Sequence, residues 1–374
     1  MLKTTLLLTL AAATAIAGNT AVAPAKSVVP VQDDWCKSLW EVPVLYKGDG
    51  FFKEVRLIGR FHGDVYSIDS DQGHESDWEI RRLRIGAVVK LAGHLELKGE
   101  VQFDPQNDNP AYAGLTEVYI AYKPNDAFNL KVGKIATYFT HDGWISSNNL
   151  QTLERNNLSN NFWFPAKYFS GVAVSGKVDS WLYNVGVHSS DQNKEFGDFN
   201  ASWFGTASLG YNFGKALGVK SAILRADFMY QDVDPAAINT RSFEQVGSLN
   251  FALDNEKWGI STDLTGGIGS GKQSDGWGFM VQPWYKITEK LEAVGRYTHL
   301  ESNDPDGLRF GRYENRVVSG RGDEYDEFYA GLNYYICGHK LKLMTGLEYA
   351  EMDGGEGGGD YEGWTWTSGL RLYF

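Results

Sequence analysis

The final stretch of the chain, residues 361–374, alternates between apolar and polar side chains. Side chains on a β-strand point in turn to opposite faces. One face of this stretch carries Trp364, Trp366, Leu370, Leu372 and Phe374, and the other carries Thr365, Thr367, Gly369 and Arg371. A tilted strand that crosses a bilayer needs roughly 9–11 residues with aromatic side chains at both interfaces. The stretch therefore predicts a membrane-spanning strand, rather than one strand of a soluble two-sided sheet.

The same two-residue period recurs from residue 51 onward. In 51–68, for example, Leu57 and Phe61 alternate with Arg56 and Arg60. Further alternating stretches lie near 78–91, 94–104, 114–123, 127–136, 167–178, 181–189, 201–213, 219–230, 242–254, 256–266, 276–287, 290–301, 324–337, 340–351 and 361–374. Together they predict about sixteen strands, an even number within the range of bacterial outer-membrane barrels.

The connections between these stretches alternate in length. Every second connection is short, and these lie at Gly93, 124–125, 179–180, 214–218, Asn255, Thr288 and Gly338. The intervening ones are longer and polar, beginning with the run 69–77. Short turns at one end and long loops at the other are typical of a membrane barrel, whereas a soluble sandwich gives no reason for them. We predict an all-β fold, a transmembrane antiparallel β-barrel.

The first 23 residues have the pattern of a signal peptide. Lys3 precedes an apolar stretch at 6–17, and small residues suited to cleavage follow it, with cleavage after residue 17 as a further possibility. A short buried helix is the alternative interpretation of this stretch. No later stretch approaches ~18–20 consecutive apolar residues, so spanning helices are not expected. The predicted organisation is a signal peptide at 1–23, a periplasmic segment at 24–50 and a barrel at 51–374.

Charge and motifs argue against several classes of protein. The net charge of −12 argues against a nucleic-acid partner. Residues 266–273, G-G-I-G-S-G-K-Q, nearly match a nucleotide-binding loop, but Gln273 occupies the position of the magnesium-binding hydroxyl. There is no H-E-x-x-H or G-x-S-x-G, and the seven histidines are dispersed. We expect no enzyme activity, no cofactor and no metal site.

The chain has two cysteines, Cys36 and Cys337. An exported protein can form a disulfide, and two thiols are too few for a disulfide framework. If the N-terminus is periplasmic, the turn at Cys337 lies in the same compartment. A bridge between the N-terminal segment and the barrel floor and a pair of free thiols both stay open.

Several stretches from Arg56 onward resemble the phosphate-selective porin O/P family of the outer membrane. They are R-L-I-G-R-F, R-R-L-R-I-G, V-Y-I-A-Y, L-K-V-G-K, L-E-R-N-N-L, F-S-G-V-A-V-S-G, G-R-Y-T-H-L, G-D-E-Y-D-E-F-Y-A-G-L-N-Y-Y and L-R-L-Y-F. They cover nearly the whole mature chain in the order in which the family has them. Each is weak alone, so the resemblance depends on their order and spacing.

The resemblance implies a sixteen-stranded barrel, usually a homotrimer, in which the long loop after the fifth strand folds into the lumen. That loop would be 138–165, with Arg155 at the position of the family's E-R element. Family members pass phosphate or polyphosphate along a path lined by cations. A second long loop, between His299 and Asp323, carries Arg309, Arg312, Arg316 and Arg321.

The alternation places a set of basic side chains toward the lumen, where charge and width set the selectivity of a channel. The candidate pore-lining residues are Arg56, Arg60, Arg82, Arg84, Lys98, Lys131, Arg155 and Arg296. Acids such as Glu96 and Glu100 face inward too. A wall network of ion pairs and an anion path are therefore both open for each residue, and arginine suits an anion path because its planar fork matches phosphate or carboxylate oxygens.

These observations predict a porin in the outer membrane of a Gram-negative-type bacterium. It would pass small hydrophilic solutes with a preference for anions such as phosphate, and it would contact outer-membrane lipid. A general or saccharide channel is the first alternative, and an enzyme or structural anchor on a barrel scaffold is the second. The loop aromatics Trp144, Phe162, Trp163 and Phe164 would either hold the loop against the wall or form an apolar slide for a solute.

Overall fold

The structure is a computed structural model that describes residues 35–37, 43–106, 111–163, 167–191, 195–199, 202–232, 240–355 and 358–374. The predicted signal peptide and most of the predicted periplasmic segment lie outside these residues. The strands are β1 (Val44–Lys47), β2 (Phe52–Ser70), β3 (Gly73–Leu91), β4 (Leu95–Phe103), β5 (Tyr112–Asn125), β6 (Phe128–Ala136), β7 (Tyr168–Val178), β8 (Trp181–Ser189), β9 (Trp203–Asn212), β10 (Ser221–Gln231), β11 (Phe243–Asp254), β12 (Trp258–Gly269), β13 (Gly276–Lys286), β14 (Leu291–Ser302), β15 (Gly322–Tyr335), β16 (Leu341–Gly354) and β17 (Tyr361–Tyr373).

Strands β2 to β17 form a closed antiparallel barrel. Each strand pairs with its neighbour in the chain, and β17 returns to pair with β2 from Gly363 opposite Ser70 to Tyr373 opposite Arg60. The prediction of a sixteen-stranded all-β barrel is confirmed. Closure matters physically because a barrel leaves no strand edge with unpaired backbone groups in the membrane.

The short strand β1 completes the edge of β2. Strand β2 is longer than β17 at its N-terminal end, and β1 pairs there from Val44 opposite Arg56 to Lys47 opposite Glu54. The disulfide between Cys36 and Cys337, with its Cα atoms 5.6 Å apart, joins the segment before β1 to the turn after β15. Of the two possibilities left open for the cysteines, the structure has the bridge.

The prediction of a polar loop at 69–77 is wrong. Strands β2 and β3 continue through this run and meet at a tight turn that ends at Gly73. The polar side chains face one another across the pair, with Ser67 Oγ 2.7 Å from Ser76 Oγ and Tyr66 donating to Glu75 at 2.7 Å. Polar character indicates contact with water and does not by itself end a strand.

The outer face of the barrel carries apolar side chains that remain exposed in the isolated chain. Among them are Val65, Trp78, Ile85, Ile120, Val132, Val185, Leu209, Phe228, Leu249, Leu264, Phe328, Leu347, Trp364 and Trp366. On four neighbouring strands, Tyr297, Phe328, Tyr349 and Trp364 are directly paired and form an aromatic row. Such a row is the expected boundary between lipid tails and head groups.

The inner face is polar and buried. It carries His62, Asp64, Arg82, Glu100, Thr206, Asp227, Asn250, Asp263, Gln282, Arg296, Glu327, Asn333, Thr365 and Arg371. Buried polar groups must find partners, since leaving one unpaired costs about 1–3 kcal/mol. Many of these partners come from the loop between β6 and β7, residues 137–167, which we call the first loop.

Among the described residues, helical structure is confined to short turns and to the helical residues 35–37 before β1. The helices are α1 (His141–Trp144) and α2 (Asn157–Phe162) in the first loop and α3 (Gly214–Leu217) between β9 and β10, with 3₁₀ turns at Ala92–His94 and Glu314–Arg316. In the described part of the chain, no helix is both long and apolar enough to cross a membrane.

Candidate functional site: a cavity lined by arginines

The first loop contacts inner-face side chains on opposite sides of the barrel. Trp144 Nε1 donates to Asp227 on β10 at 3.2 Å, and Arg60 on β2 donates to Ser147 Oγ at 2.5 Å. Other inner-face side chains donate to loop carbonyls, as Lys342 does to Leu150 at 2.5 Å. The loop therefore satisfies buried polar groups on both sides of the barrel.

A cavity of about 900 Å³ remains between the first loop and one side of the barrel wall. Seven basic side chains line it, namely Arg60, Arg81, Arg82, Arg84, Arg155, Lys167 and Arg312. The acidic side chains in its lining are Glu117 and Glu154. The balance of charge around this space is thus strongly positive, although the whole chain is acidic.

A second cavity of about 600 Å³ adjoins the first, since both have Arg81, Arg82, Arg84, Gln102, Ala113 and Arg312 in their linings. We call the four arginines of this shared lining the arginine junction. A solute that moves between the two cavities passes these four guanidinium groups.

A β-bulge explains why neighbouring arginines of β3 reach the same space. His62 on β2 pairs with Arg82, but the next residue, Gly63, pairs with Ile80, so Arg81 is the extra residue of the bulge. A bulge interrupts the two-residue alternation and re-aims the side chains beside it. The alternation predicted Arg82 and Arg84 on the inner face and missed Arg81 for this reason.

Arg81 and Arg82 share one carboxylate. Arg81 makes a bidentate ion pair with Glu154, in which Nη2 lies 3.1 Å from Oε2, and the nearest guanidinium nitrogen of Arg82 is 4.0 Å from the same oxygen. Burial by itself would raise the pKa of Glu154, but the two arginines outweigh it and the pKa is lowered. Arg82 is 5% exposed, and its other contact is His62 Nδ1 at 3.4 Å. Its positive charge is only weakly balanced.

Arg84 and Arg60 are held mainly by neutral groups. Arg84 donates to Gln102 Oε1 and to the Tyr168 hydroxyl, both at 2.6 Å, while Glu100 lies 3.7 Å away. Arg60 donates to Ser147, and its buried Nε has no hydrogen-bond partner among the described residues.

Arg155 and Lys167 are held by carbonyls and aromatic faces. Arg155 donates to the backbone oxygens of Asp142 and Ile145 at 3.0 and 2.9 Å, and Lys167 donates to that of Gly143 at 2.9 Å. Both cations lie 5.2–5.3 Å from the ring centre of Trp163. Within the described ranges, neither forms an ion pair with a carboxylate. A cation–π contact stabilises a cation and leaves its charge in place.

The eight predicted pore-lining residues divide into two groups. Arg60, Arg82, Arg84 and Arg155 come together around the larger cavity. The other four lie outside its lining: Lys98 pairs with Glu117 at 2.5 Å, Lys131 lies 4.5 Å from the Tyr119 ring centre, Arg56 lies 3.8 Å from Glu54, and Arg296 pairs with Glu327 and Glu348. For Arg296, these contacts are those of a wall network.

Three lining cations were missing from the sequence-based list. Arg81 is the bulge residue, which strict alternation assigns to the outer face. Lys167 lies directly before β7, and its buried position among Arg155 and other cations lowers its pKa well below that of an ordinary lysine, with burial as the main cause. Arg312 belongs to the second long loop, whose four arginines were the available signal.

The aromatic side chains of the first loop are used for packing. Trp144 stacks on Tyr138 with ring centres 5.1 Å apart, and the Arg225 guanidinium lies 4.1 Å from the Trp144 ring centre. Phe162 stacks on Phe243 of the wall at 5.3 Å. These contacts favour the packing interpretation over the apolar slide; Phe164 lies outside the described residues.

A possible metal-ligand group lies away from the cavity. His299, Glu324 and Asp326 each place a ligand atom within 4.8 Å of the others. They lie on the outer face of β14 and β15, where His299 Nδ1 is 3.1 Å from Asp326 Oδ1 and Nε2 is 3.2 Å from Glu301 Oε1. The near-match to a nucleotide-binding loop at 266–273 begins inside β12 and continues into a turn, without the helix that such a loop requires.

Solved structures with the same architecture are outer-membrane proteins. In-vitro folded OmpT of Vibrio cholerae has a TM-score of 0.60 and 13% identity, over 88% of this chain and 99% of that one. An anion-selective porin from Comamonas acidovorans has a TM-score of 0.61 and 12% identity, and the match covers 86% of this chain and 99% of that one. The outer-membrane channel DcaP of Acinetobacter baumannii has a TM-score of 0.57 and 14% identity, and the match covers 88% of this chain and 99% of that one. At these identities the likeness is one of fold.

A search of curated protein sequences found no match. The family model for phosphate-selective porin O and P matches residues 55–257, more than half of the chain, and this stretch contains the bulge of β3 and the whole first loop. The resemblance found in the short sequence motifs is therefore confirmed. The chain belongs to the phosphate-selective porin O and P family of outer-membrane channels.

Proposed function

We propose that this porin conducts small anions through the two adjoining cavities, past the arginine junction. The observation that carries the proposal is that the shared lining contains four arginines, with two further arginines and a lysine around the larger cavity. Arg316 adds a further cation in the smaller cavity, and the lining acids of the two cavities, Asp77, Glu79, Asp104, Glu117 and Glu154, neutralise only part of this charge.

The magnitude of the effect follows from the low dielectric of the site. Two unit charges 4 Å apart interact by about 4 kcal/mol at an effective dielectric constant near 20, against about 1 kcal/mol in bulk water. A surplus of even one or two cations along a narrow path therefore discriminates between small anions and cations. The positions of Arg82, Arg155 and Lys167 support such a surplus, because their contacts are mainly with neutral groups.

The chemistry of the cations suits oxyanions. A guanidinium presents paired N–H donors in a plane that matches two oxygens of a phosphate or carboxylate. The arginine junction would offer a sequence of such donors, so that an anion can exchange one contact for the next. Phosphate preference within the anions belongs to this proposal.

A saccharide channel receives less support from the geometry. Sugar stacking needs a free aromatic face, and the Trp144 ring is already in contact with the Tyr138 ring and the Arg225 guanidinium. Catalysis is not part of the proposed function, since family and fold indicate a channel rather than an enzyme.

A homotrimer in contact with outer-membrane lipid completes the proposal. Support comes from the family resemblance and from a fold match, at a TM-score of 0.55 and 13% identity, to the trimer form of OmpT of Vibrio cholerae. The exposed aromatic row on β14 to β17 supports contact with lipid.

The test is the reversal potential of the purified protein in a planar bilayer under a KCl gradient, followed by titration with phosphate. An anion-selective reversal potential and block of the chloride current by phosphate are expected. A cation-selective reversal potential would refute the proposal. Ohmic conduction without phosphate block would favour a general channel, and absence of conduction would favour a structural anchor.

A further inference from the structure

The loop between β14 and β15, residues 303–321, buries several of its side chains inside the barrel. We call it the second loop. Phe310 is fully buried, Leu308 and Glu314 are 2% and 1% exposed, and Tyr313 packs on Tyr66 of β2 with ring centres 5.1 Å apart. A solvated rim loop would not bury such side chains, so this segment packs against other parts of the protein over its central portion.

One side of the second loop is bound by helix α2 of the first loop. Asn157 and Asn161 donate to the carbonyl of Arg309 at 2.8 and 3.0 Å, and Asn161 Oδ1 accepts from the Arg309 backbone N–H at 2.8 Å. Asn160 donates to the carbonyl of Phe310 at 2.8 Å. Three asparagines on one helical turn thus bind two consecutive residues through their backbone, which fixes the register of the two loops relative to each other.

The other side of the second loop is held by β3. Arg312 makes a bidentate ion pair with Glu79, at 2.9 Å from Nε to Oε1 and 2.5 Å from Nη2 to Oε2. Arg316 donates to the same carboxylate at 2.6 Å, lies 3.3 Å from Glu75 and covers the ring of Tyr66 at 4.4 Å. Glu79 is 8% exposed, so its carboxylate is largely shielded from solvent, while the side chains of Arg312 and Arg316 are 35% and 28% exposed.

We call the ion pairs of Glu79 with Arg312 and Arg316 the clamp. The clamp determines where Arg312, one member of the arginine junction, lies. Arg312 lines both cavities, whereas Arg309 and Arg321 of the same loop line neither of them. Those two arginines are directed elsewhere, Arg309 to Gln273 at 2.9 Å and Arg321 to the carbonyl of Asp306. The second loop therefore delivers two arginines to the proposed anion path, Arg312 at the arginine junction and Arg316 in the lining of the smaller cavity.

We propose that the second loop is a second constriction of this channel, in which Arg312 is a selectivity residue and Glu79 is the residue that positions it. The proposal rests on the proposed anion path. It adds an element to that path which comes from the far end of the chain and is held by α2 on one side and by β3 on the other.

Arg312→Gln and Arg321→Gln form a matched pair, since each removes one cation from the same loop. The chloride-to-potassium permeability ratio of Arg312→Gln is expected to fall by about twofold or more, and that of Arg321→Gln to stay at the wild-type value. An unchanged ratio in Arg312→Gln, or an equal fall in both variants, would overturn the role of Arg312.

Glu79→Gln tests positioning separately from charge. If Glu79 acted only as an acid near the path, its removal would raise the anion preference and leave the conductance unchanged. Loss of the clamp in Glu79→Gln is expected instead to raise the single-channel conductance and to lower the permeability ratio. In Glu79→Asp, both quantities should return part of the way to their wild-type values. A raised ratio at unchanged conductance would overturn the positioning role.

Barrel assembly is checked for each variant by its heat-dependent mobility in detergent gels. Should Glu79→Gln not assemble, Asn157→Ala with Asn161→Ala releases the other side of the loop, and the same rise in conductance is expected. Wild-type protein without anion preference would refute the proposed function itself. Anion-selective wild-type protein with an unaltered Arg312→Gln variant would refute only the inference about the second loop.

Discussion

Arg81 of strand β3 and Glu154 of the first loop form a bidentate ion pair across the space between wall and loop, with Nη2 3.1 Å from Oε2. The pair combines two departures from regular structure. Arg81 reaches inward because it is the extra residue of a bulge, and Glu154 is brought to it by a loop that starts after β6. It fixes the loop at the arginine junction, and it also neutralises one of the cations there.

Removal of the Glu154 charge is expected to strengthen the anion preference. Glu154→Gln frees Arg81 and leaves Arg82 without its nearest carboxylate, so the chloride-to-potassium permeability ratio should rise by about twofold. Asp254→Asn is the matched control, because Asp254 pairs with Lys220 at 2.6 Å outside both cavities. A lowered ratio in Glu154→Gln would indicate that the ion pair mainly holds the loop in place.

Replacement of Arg82 and Arg84 by glutamine is expected to lower the same ratio. Both side chains line the two cavities and have at most distant carboxylates, at 4.0 and 3.7 Å. Removal of two of four charges at the junction should reduce the ratio by about threefold or more. Lys220→Gln serves as the control for a lost cation. An unchanged ratio in the double variant would exclude these residues from the selectivity of the channel.

Lys167 is expected to make the anion preference depend on pH on the alkaline side. Burial and the nearby Arg155 lower its pKa. A lowered pKa means that the Lys167 ammonium loses its proton at a lower pH than an ordinary lysine does. The pKa of an ordinary lysine is about 10.4. The permeability ratio should therefore fall, as the pH rises, at pH values below about 10, where an ordinary lysine still keeps its proton.

Two variants of Lys167 check this assignment through reversal potentials at neutral and at alkaline pH. Lys167→Gln should have a lower ratio at neutral pH and no alkaline decline, and Lys167→Arg should keep a high ratio throughout, since arginine stays protonated. An alkaline decline that persists in Lys167→Gln would assign the titration to another group.

The disulfide is expected to contribute to stability and not to selectivity. Cys36 and Cys337 are 301 residues apart in the chain, and such a long closed loop is constrained substantially in the unfolded state. Replacing both by serine should lower the free energy of unfolding by about 2–4 kcal/mol, measured by urea denaturation in detergent. The permeability ratio should not change, because neither residue lines a cavity described above. Two alkylatable thiols in the native wild-type protein would contradict the bridge.

The sequence predicted the barrel well because alternation is a local property. Trp364 and Trp366 lie on the outer face and Thr365 and Arg371 on the inner face, as their order in the chain requires. The polar run 69–77 was assigned wrongly for a related reason. Polarity reports contact with water, and strands β2 and β3 extend into water while keeping their backbone pairing.

The candidate site was predictable only in part. Arg60, Arg82 and Arg84 follow from alternation, and Arg155 follows from the family resemblance. Arg81 could not follow, because a bulge depends on the register between two strands. Arg296 could not be recognised as part of a wall network, because Glu327 and Glu348 come from strands β15 and β16 and meet it only in the closed barrel.

The amino-acid sequence by itself therefore determined the class of fold, the number of strands, the membrane-facing and lumen-facing sides, and the family. These depend on the backbone geometry of single strands and on short motifs. The tertiary structure alone decided which cations share a cavity, which of them are paired with a carboxylate, and that Arg312 from a distant loop joins them. Those outcomes depend on contacts between residues far apart in the chain, which a local pattern does not record.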